Sequence, residues 1–356
     1  MKRYDNLWSQ VCSLDNLIKA FYQARKAKRG RKIVAGFEYN LESQLLEIQA
    51  ELLAGHYQPS CYDYFKHFEP KERDILAPHW RDRLIQHAIY RVIASLFDET
   101  FIYDSYACRR DKGLHFAMNR VKKFIASACA HQSPAKVYYL KLDIKKYFSS
   151  ISWDVLLYLL SLKIKDKQLL VVLGRIITHH DYLDRATISR TIINPKERKG
   201  IPIGNLTSQL FANIYLNHLD QYLKRSLKVR YYGRYMDDFF IIHPSRSYLL
   251  DLKDKIAYFL EKQLSLELHK YKVTLDSLDH GINFVGYKIF KDHVVVRGST
   301  LKKIKGKLKR SKWLMARHEL TPDQFSHILN SVEGFLSQAN TYNLRQSLKD
   351  YFGYEY

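Results

Sequence analysis

Residues 229–242 read VRYYGRYMDDFFII, and this stretch decides the fold class of the chain. Two strand-like runs, 229–235 and 239–242, flank a connection that is short enough for a tight β-turn. Asp237 and Asp238 therefore stand at the tip of a predicted β-hairpin. Taken alone, the acidic pair has a simpler explanation, because aspartate is a common turn residue.

A third carboxylate follows another apolar run. Residues 136–144 read KVYYLKLDI, a pattern that predicts a buried strand ending near Asp143, although an aspartate there is also a favoured helix N-cap. Three carboxylates at the ends of adjacent strands would raise one another's pKa unless a divalent cation lay between them. Mg²⁺ takes few protein carboxylates and completes its shell with water and phosphates. We therefore predict a magnesium site at Asp143, Asp237 and Asp238.

The composition favours a polyanionic partner. The 356 residues include 58 Lys or Arg and 36 Asp or Glu, a formal net charge of +22, which makes nucleic acid the first expected partner. A hydrophobic fraction of 46% excludes a disordered tail or a collagen-like fibre. The sequence shows no apolar run of about 18 residues and no signal segment, so we expect a cytoplasmic protein without a membrane partner. Four widely spaced cysteines predict packed, reduced thiols.

The length predicts two or three compact units, and apolar spacing predicts several helices and a second hairpin. The residues from 297 to 320 hold nine Lys or Arg and one acid, with apolar side chains on one helical face. The predicted helices are 41–53, 83–97, one beginning near Trp153, one within 201–217, and the basic segment after Gly298; the second hairpin is 282–296.

Four segments occur in the order typical of one enzyme family. They are LDIKKYF at 142–148, GIPIGNLTSQ at 200–209, YMDD at 235–238 and FVGY at 284–287. The first three resemble the palm motifs of reverse transcriptases, and the last resembles the primer grip. One such motif alone is weak, whereas four in order are specific.

The resemblance implies an α+β fold of the right-hand polymerase type, with fingers, an antiparallel palm sheet and a short helical thumb. We expect the N-terminal region and fingers in 1–135 and the palm in 136–296. A helical insertion is expected near 161–199, and the thumb in 297–356.

The resemblance also implies RNA-directed DNA polymerase activity with two Mg²⁺ ions about 4 Å apart. The implied metal ligands are Asp143, Asp237 and Asp238, with Ile144 beside them. Lys272 is the implied general acid for the departing pyrophosphate, with Lys270 an equally plausible neighbour.

Further positions match nucleotide-binding residues of the family. Phe148 resembles the steric gate that selects deoxynucleotides, and it is equally explained as a core aromatic. Lys71 and Arg73 match fingers cations that hold the triphosphate, although exposed loop charges also explain them. The second palm motif contributes the remaining nucleotide-binding positions, Ile203, Gly204 and Gln209.

Nucleic-acid contacts are implied at the fingers, the primer grip and the basic helix. Cations on that helix would contact phosphates and carry affinity without sequence information. The basic run at 25–32 suits RNA or an acidic partner, although such runs are more often simply solvated. The implied contact residues are Arg109, Arg110, Phe284, Gly286, Tyr287, Lys302, Lys305 and Lys309.

One departure from the common motif resembles a subgroup. Many relatives carry Gln-Gly in the second palm motif, where this chain has Ile203-Gly204. This departure from Gln-Gly resembles the reverse transcriptases of diversity-generating retroelements. Segments 82–88 and 105–113 also resemble that subgroup's fingers. This resemblance implies copying of a template-repeat RNA into cDNA with errors at adenines, together with a small, basic, oligomeric accessory variability protein. Another bacterial reverse transcriptase (group II intron-like, retron or antiphage) and a non-catalytic RNA-binding scaffold remain alternatives.

Overall fold

The computed structural model describes residues 2–68, 72–130, 136–179 and 193–352, excluding the side chain of Phe352. Lys71 and residues 180–192 of the expected insertion lie outside this part. The chain divides into two compact units. The first unit comprises 1–103, 144–228 and 254–270, and the second comprises 104–143, 229–253 and 271–356.

Helices and strands alternate irregularly along the chain. The α-helices are α1 (Leu7–Cys12), α2 (Leu14–Ala24), α3 (Lys32–Tyr39), α4 (Leu41–Leu53), α5 (Trp80–Asp98), α6 (Leu114–Ala130), α7 (Tyr147–Ser150), α8 (Trp153–Ser161), α9 (Lys167–Thr178), α10 (Leu206–Gln221), α11 (Arg246–Leu264), α12 (Gly298–Ala316), α13 (Pro322–Leu336) and α14 (Tyr342–Phe352). The strands are β1 (Asp63–His67), β2 (Arg73–Ala77), β3 (Tyr138–Asp143), β4 (Tyr231–Tyr235), β5 (Asp238–His243), β6 (Thr274–Ser277), β7 (Ile282–Phe284), β8 (Tyr287–Ile289) and β9 (Val294–Val296).

The first unit is mainly helical and is centred on α5, which packs against α2 and α10. The sequence of α2 explains its packing, because Leu17, Phe21 and Ala24 recur at helical spacing and are buried. Ser13 begins this helix, since its side chain accepts a hydrogen bond from the amide of Asn16. Strands β1 and β2 form an antiparallel hairpin in this unit.

The second unit contains a four-stranded antiparallel sheet in the order β4-β5-β3-β6. Helix α6 packs against this sheet and against a second, three-stranded sheet in the order β7-β8-β9. The shared core includes Val121 and Ile125 of α6 with Tyr139 and Phe240 of the larger sheet. This core holds β3 and β5 side by side, which positions the acidic residues at their ends.

Helices α12, α13 and α14 form a separate small core. Its buried residues include Leu308, Phe325 and Leu336. A capping box begins α13, because the Thr321 hydroxyl and the Gln324 side chain each accept a hydrogen bond from the other residue's backbone amide. The lysines of α12 remain outside this core and are exposed.

The structure confirms the α+β fold and most of the predicted elements, including the hairpin at 229–242 and the strand that ends at Asp143. The segment 282–296 differs, because it forms three strands rather than one hairpin. Cys108 is exposed, unlike the packed thiols that were expected. No helix in the described part of the chain is long and apolar enough to cross a bilayer. The division into fingers, palm and thumb stays a prediction.

Candidate active site

The acidic residues meet at one end of the larger sheet. Asp143, at the end of β3, lies directly opposite Asp238, the first residue of β5. Residues directly opposite each other share a face of the sheet, so the two carboxylates project to the same side. Asp237 and Met236 form the two-residue turn between β4 and β5, with Met236 at a φ of 54°. The fold therefore gathers the three predicted carboxylates within the second unit.

Two lysines accompany these carboxylates. The Nζ of Lys272 donates to Oδ1 of Asp143 at 2.8 Å, and the Nζ of Lys141 lies 2.8 Å from Oδ1 of Asp238. Lys272 thus contacts the carboxylate of Asp143. Lys270 belongs to the first unit and is exposed. The pKa of Glu267 is lowered mainly by Lys145 and to a smaller extent by Lys270.

Asp238 has a perturbed environment. Its pKa is raised to about 6, chiefly by burial; Lys141 opposes the shift, and repulsion from Asp143 and Asp237 adds to it. Its side chain keeps 28% of its surface exposed, but Oδ1 is buried without a well-aligned hydrogen bond despite the nearby ammonium group of Lys141. Mutual repulsion of this kind is what a bound cation relieves.

The carboxylates fit a divalent cation by their chemistry, because Mg²⁺ prefers oxygen donors. The buried, poorly hydrogen-bonded oxygen of Asp238 and the repulsion among the three acids are consistent with such an ion. In the present arrangement, lysine ammonium groups neutralise Asp143 and Asp238. Within the described ranges, no three His, Cys, Asp or Glu side chains converge closely enough to hold a metal ion in this arrangement.

The raised pKa of Asp238 predicts a pH-dependent stability. Below about pH 4 the group is protonated in both the folded and unfolded states, whereas above about pH 6 the folded state holds a buried charge. The free energy of unfolding should therefore fall as the pH rises from about 4 to about 6. We expect Asp238→Asn to be more stable than wild type at pH 7.5 by at most about 3 kcal/mol, and equal to it at pH 4.

Urea unfolding at both pH values, in buffer with a chelator, measures this difference. Asp279→Asn is the matched control, because this exposed aspartate lies outside the acidic cluster. A loss of stability in Asp238→Asn at pH 7.5 would contradict the prediction.

Most of the predicted nucleotide-binding residues lie in the first unit. The amide of Leu76 in β2 donates to the carbonyl of Ile203 at 2.9 Å, and the amide of Ile201 donates to the carbonyl of Phe148 at 3.0 Å. Gly204 has a φ of 145°, and a Cβ there would lie 2.1 Å from the carbonyl oxygen of Leu76. Only glycine therefore allows this close approach to β2.

The side chains of this group differ in exposure. Phe148 and Ile203 are half-buried, whereas Arg73 and Gln209 are exposed. Arg73 begins β2, so the same strand that bonds to Ile203 also carries this fingers cation. The structure thus joins Arg73, Phe148 and the second palm motif within one unit.

The primer-grip residues are placed differently from the expectation. Phe284 and Tyr287 are buried in the core, and the hydroxyl of Tyr287 donates to the carbonyl of Phe335 at 2.7 Å. Their side chains are therefore not available for nucleic acid in this conformation. The turn of the motif is half-buried, and its Val285 and Gly286 have φ values of 43° and 91°.

The remaining predicted contact residues lie at the surface of the second unit. Arg109 is half-buried and donates to the carbonyl of Ser105 at 3.0 Å, whereas Arg110 is exposed. The three predicted lysines of α12 are also exposed: Lys302, Lys305 and Lys309.

Two residues that the sequence analysis did not select also belong to this region. Lys141 stands two positions before Asp143, and the two-residue period of a strand would have placed it on the same face. Arg234 is fully buried beside the acidic turn. No sequence signal pointed to Arg234, because an arginine in a strand is normally read as exposed.

Asp143, Asp237 and Asp238 gather at one end of an antiparallel sheet in an α+β fold, an arrangement consistent with a polymerase of the right-hand class. A profile of the reverse transcriptase (RNA-dependent DNA polymerase) family matches residues 66–289, more than half of the chain, and the chain belongs to that family. Its enzyme class is RNA-directed DNA polymerase, and its family uses RNA templates and divalent metal ions.

Individual relatives are distant. Protein YkfC of Escherichia coli (strain K12) is 26% identical over 288 residues, which cover 70% of this chain and 72% of YkfC. The group II intron-encoded protein LtrA of Lactococcus lactis subsp. cremoris is 24% identical over 334 residues, and the match covers 76% of this chain. The chain spans about half (52%) of LtrA.

Telomerases are among the solved structures to which this chain is similar. The structure of telomerase from Candida albicans in complex with a TWJ fragment of telomeric RNA has a TM-score of 0.48 and 14% identity. The similarity covers 82% of this chain and 57% of that chain.

Proposed function

We propose that this chain extends a primer on an RNA template by adding deoxynucleotides, with Asp143 and Asp237 as its principal metal ligands. The observation that carries the proposal is the register that sets Asp143 opposite Asp238, with Asp237 in the adjoining turn. Ile144 follows Asp143 and would supply a backbone carbonyl. These residues would hold two Mg²⁺ ions, which would supply activation of the primer 3′-hydroxyl and charge stabilisation for the leaving pyrophosphate.

The two lysines have different proposed roles. Lys272 holds a proton on Nζ next to Asp143 and donates it to the departing pyrophosphate. Lys141 neutralises Asp238, and burial raises the pKa of this carboxyl group, so we propose Asp237 as the more important member of the acidic pair. Both roles follow from the ion pairs on one sheet face.

Other residues of the family motifs would bind the nucleotide and the nucleic acid. We propose that Arg73 binds the triphosphate through its planar guanidinium group and that Phe148 excludes a ribose 2′-hydroxyl. The backbone of the turn at 285–286 would contact the primer, in place of the buried aromatic side chains beside it. Arg109, Arg110 and the lysines of α12 would contact phosphates.

We further propose that the RNA is the template repeat of a diversity-generating retroelement, copied with errors at adenines and with a basic accessory variability protein. The motif Ile203-Gly204 supports this proposal. Ile203 offers only apolar contact where a glutamine would form hydrogen bonds, so discrimination near the nascent base pair should be weaker.

Replacing Ile203 with glutamine should lower misincorporation opposite adenine by about 5- to 10-fold, because one hydrogen bond contributes about 1 kcal/mol of discrimination. Sequencing of cDNA made from a defined RNA, with and without the accessory protein, measures the error spectrum. Errors opposite the other three template bases are the internal control. An unchanged error spectrum would show that Ile203 does not determine the errors at adenine.

A second candidate is a reverse transcriptase of the group II intron type. The similarity to LtrA, a group II intron-encoded protein, favours it. The same cDNA sequencing separates the two proposals: errors concentrated at adenines favour the diversity-generating type, and errors spread evenly over the four template bases count against it.

A further inference from the structure

A fully buried arginine lies directly beside the acidic turn. Arg234 is 0% exposed and is the penultimate residue of β4. One terminal nitrogen of its guanidinium group donates to the carbonyl of Met236 at 3.1 Å, and the other donates to the hydroxyl of Ser105 at 3.2 Å. The side chain therefore connects the turn that carries Asp237 to a segment outside the sheet.

The backbone strengthens this connection. The amide of Arg234 donates to the carbonyl of Asp104 at 2.9 Å, and the amide of Tyr106 donates to the carbonyl of Arg234 at 3.0 Å. A Cβ on Gly233 would lie 2.5 Å from the hydroxyl of Tyr106, so the two segments approach as closely as a glycine allows. Residues 104–106 thus form a fixed support along the edge of β4.

The support is itself held by charge. The carboxylate of Asp104 accepts two hydrogen bonds from Arg120, at 2.7 and 3.0 Å, and one from the hydroxyl of Tyr106 at 3.1 Å. This two-point contact between guanidinium and carboxylate fixes orientation as well as distance. Arg120 therefore anchors the far end of the network, and Arg234 contacts the turn.

The turn needs such a contact. Met236 has a φ of 54°, a backbone conformation that residues other than glycine rarely adopt. Strained residues persist only when their surroundings over-determine them, and they concentrate at functional sites. For stability alone, an apolar side chain of similar volume usually serves as well as a buried charge. The burial of Arg234 therefore points to a role in the geometry of the turn.

We propose that Arg234 is a positioning residue, whose guanidinium group fixes the Met236 carbonyl and so holds Asp237 in place for catalysis. The inference rests on the proposed role of Asp237 as a metal ligand. Arginine suits the task because its planar fork reaches two acceptors at once, whereas lysine is a point charge that cannot reproduce the fork.

The test compares Arg234→Lys with Arg120→Lys, the same substitution at the far end of the same network. Hydrogen–deuterium exchange of the peptide covering 235–239, in protein without added metal, should rise about 10-fold in Arg234→Lys and by less than about 3-fold in Arg120→Lys, which reaches the turn only through the 104–106 support. In primer extension, Arg234→Lys should lower kcat by about 10²-fold with KM for the nucleotide changed by less than about 3-fold.

Equal exchange in the turn for both variants would overturn the inference. A fall in kcat that is proportional to the loss of thermal stability in both variants would also overturn it, because it would show a general structural effect. If Arg234→Lys does not fold, Ser105→Ala removes only one acceptor and should still raise exchange in the turn; no rise would overturn the inference. Wild-type protein that fails to extend a primer would refute the proposed function, while the exchange comparison would still decide the role of Arg234.

Discussion

Asp237→Asn should lower kcat for primer extension by at least about 10³-fold, because loss of a metal-binding carboxylate removes several kcal/mol of transition-state stabilisation. Asparagine keeps the size and the turn propensity of aspartate, so the hairpin should persist. Single-turnover extension of a DNA primer on an RNA template measures the effect. Binding of Mn²⁺, followed by electron paramagnetic resonance, should weaken in parallel.

The neighbouring residue supplies the matched control. Asp238→Asn is the same substitution one position later, and Lys141 already neutralises this carboxylate. We expect its effect on kcat to be at least about 10-fold smaller. Equal product from Asp237→Asn and wild type would end the catalytic proposal and favour a non-catalytic RNA-binding scaffold on the same fold.

Lys272→Gln is expected to lower kcat by about 10²-fold, because positioned general acids contribute about 10²- to 10⁴-fold. The structure favours Lys272 for this role because its Nζ lies 2.8 Å from Oδ1 of Asp143. Single-turnover addition of one nucleotide measures this loss.

Lys270→Gln is the control for this experiment, because Lys270 is two residues away and belongs to the first unit. We expect its kcat to change by less than about 3-fold. Thermal unfolding of both variants separates a loss of catalysis from a loss of the ion pair to Asp143. A larger loss of kcat in Lys270→Gln than in Lys272→Gln would assign the general-acid role to Lys270 instead of Lys272.

The strands and helices were largely predictable because their signals are local. The hairpin at 229–242 follows from two apolar runs around a short acidic turn, and α4 follows from helical spacing within residues 41–53. The segment 282–296 was predicted as one hairpin because β7, β8 and β9 have only three residues each, too few for a period that would separate three strands from two.

The site was predictable only in part. Asp143, Asp237 and Asp238 carry a strong residue-type signal, and their positions at strand ends follow from the pattern. The burial of Phe284 and Tyr287 could not be predicted. In a strand of three residues, the residue types do not indicate which face of the sheet is covered by helices. Helix α13, which supplies the carbonyl that Tyr287 contacts, is about 50 residues away in the chain.

The amino-acid sequence by itself determined the local elements, the identity of the acidic residues and the family resemblance, because each depends on residues close together in the chain. Only the tertiary structure decided that Lys272 rather than Lys270 reaches Asp143, and that Arg234 is buried against Ser105. These pairs are more than 100 residues apart in the chain, and their contacts depend on strand register and helix packing, which local patterns do not encode.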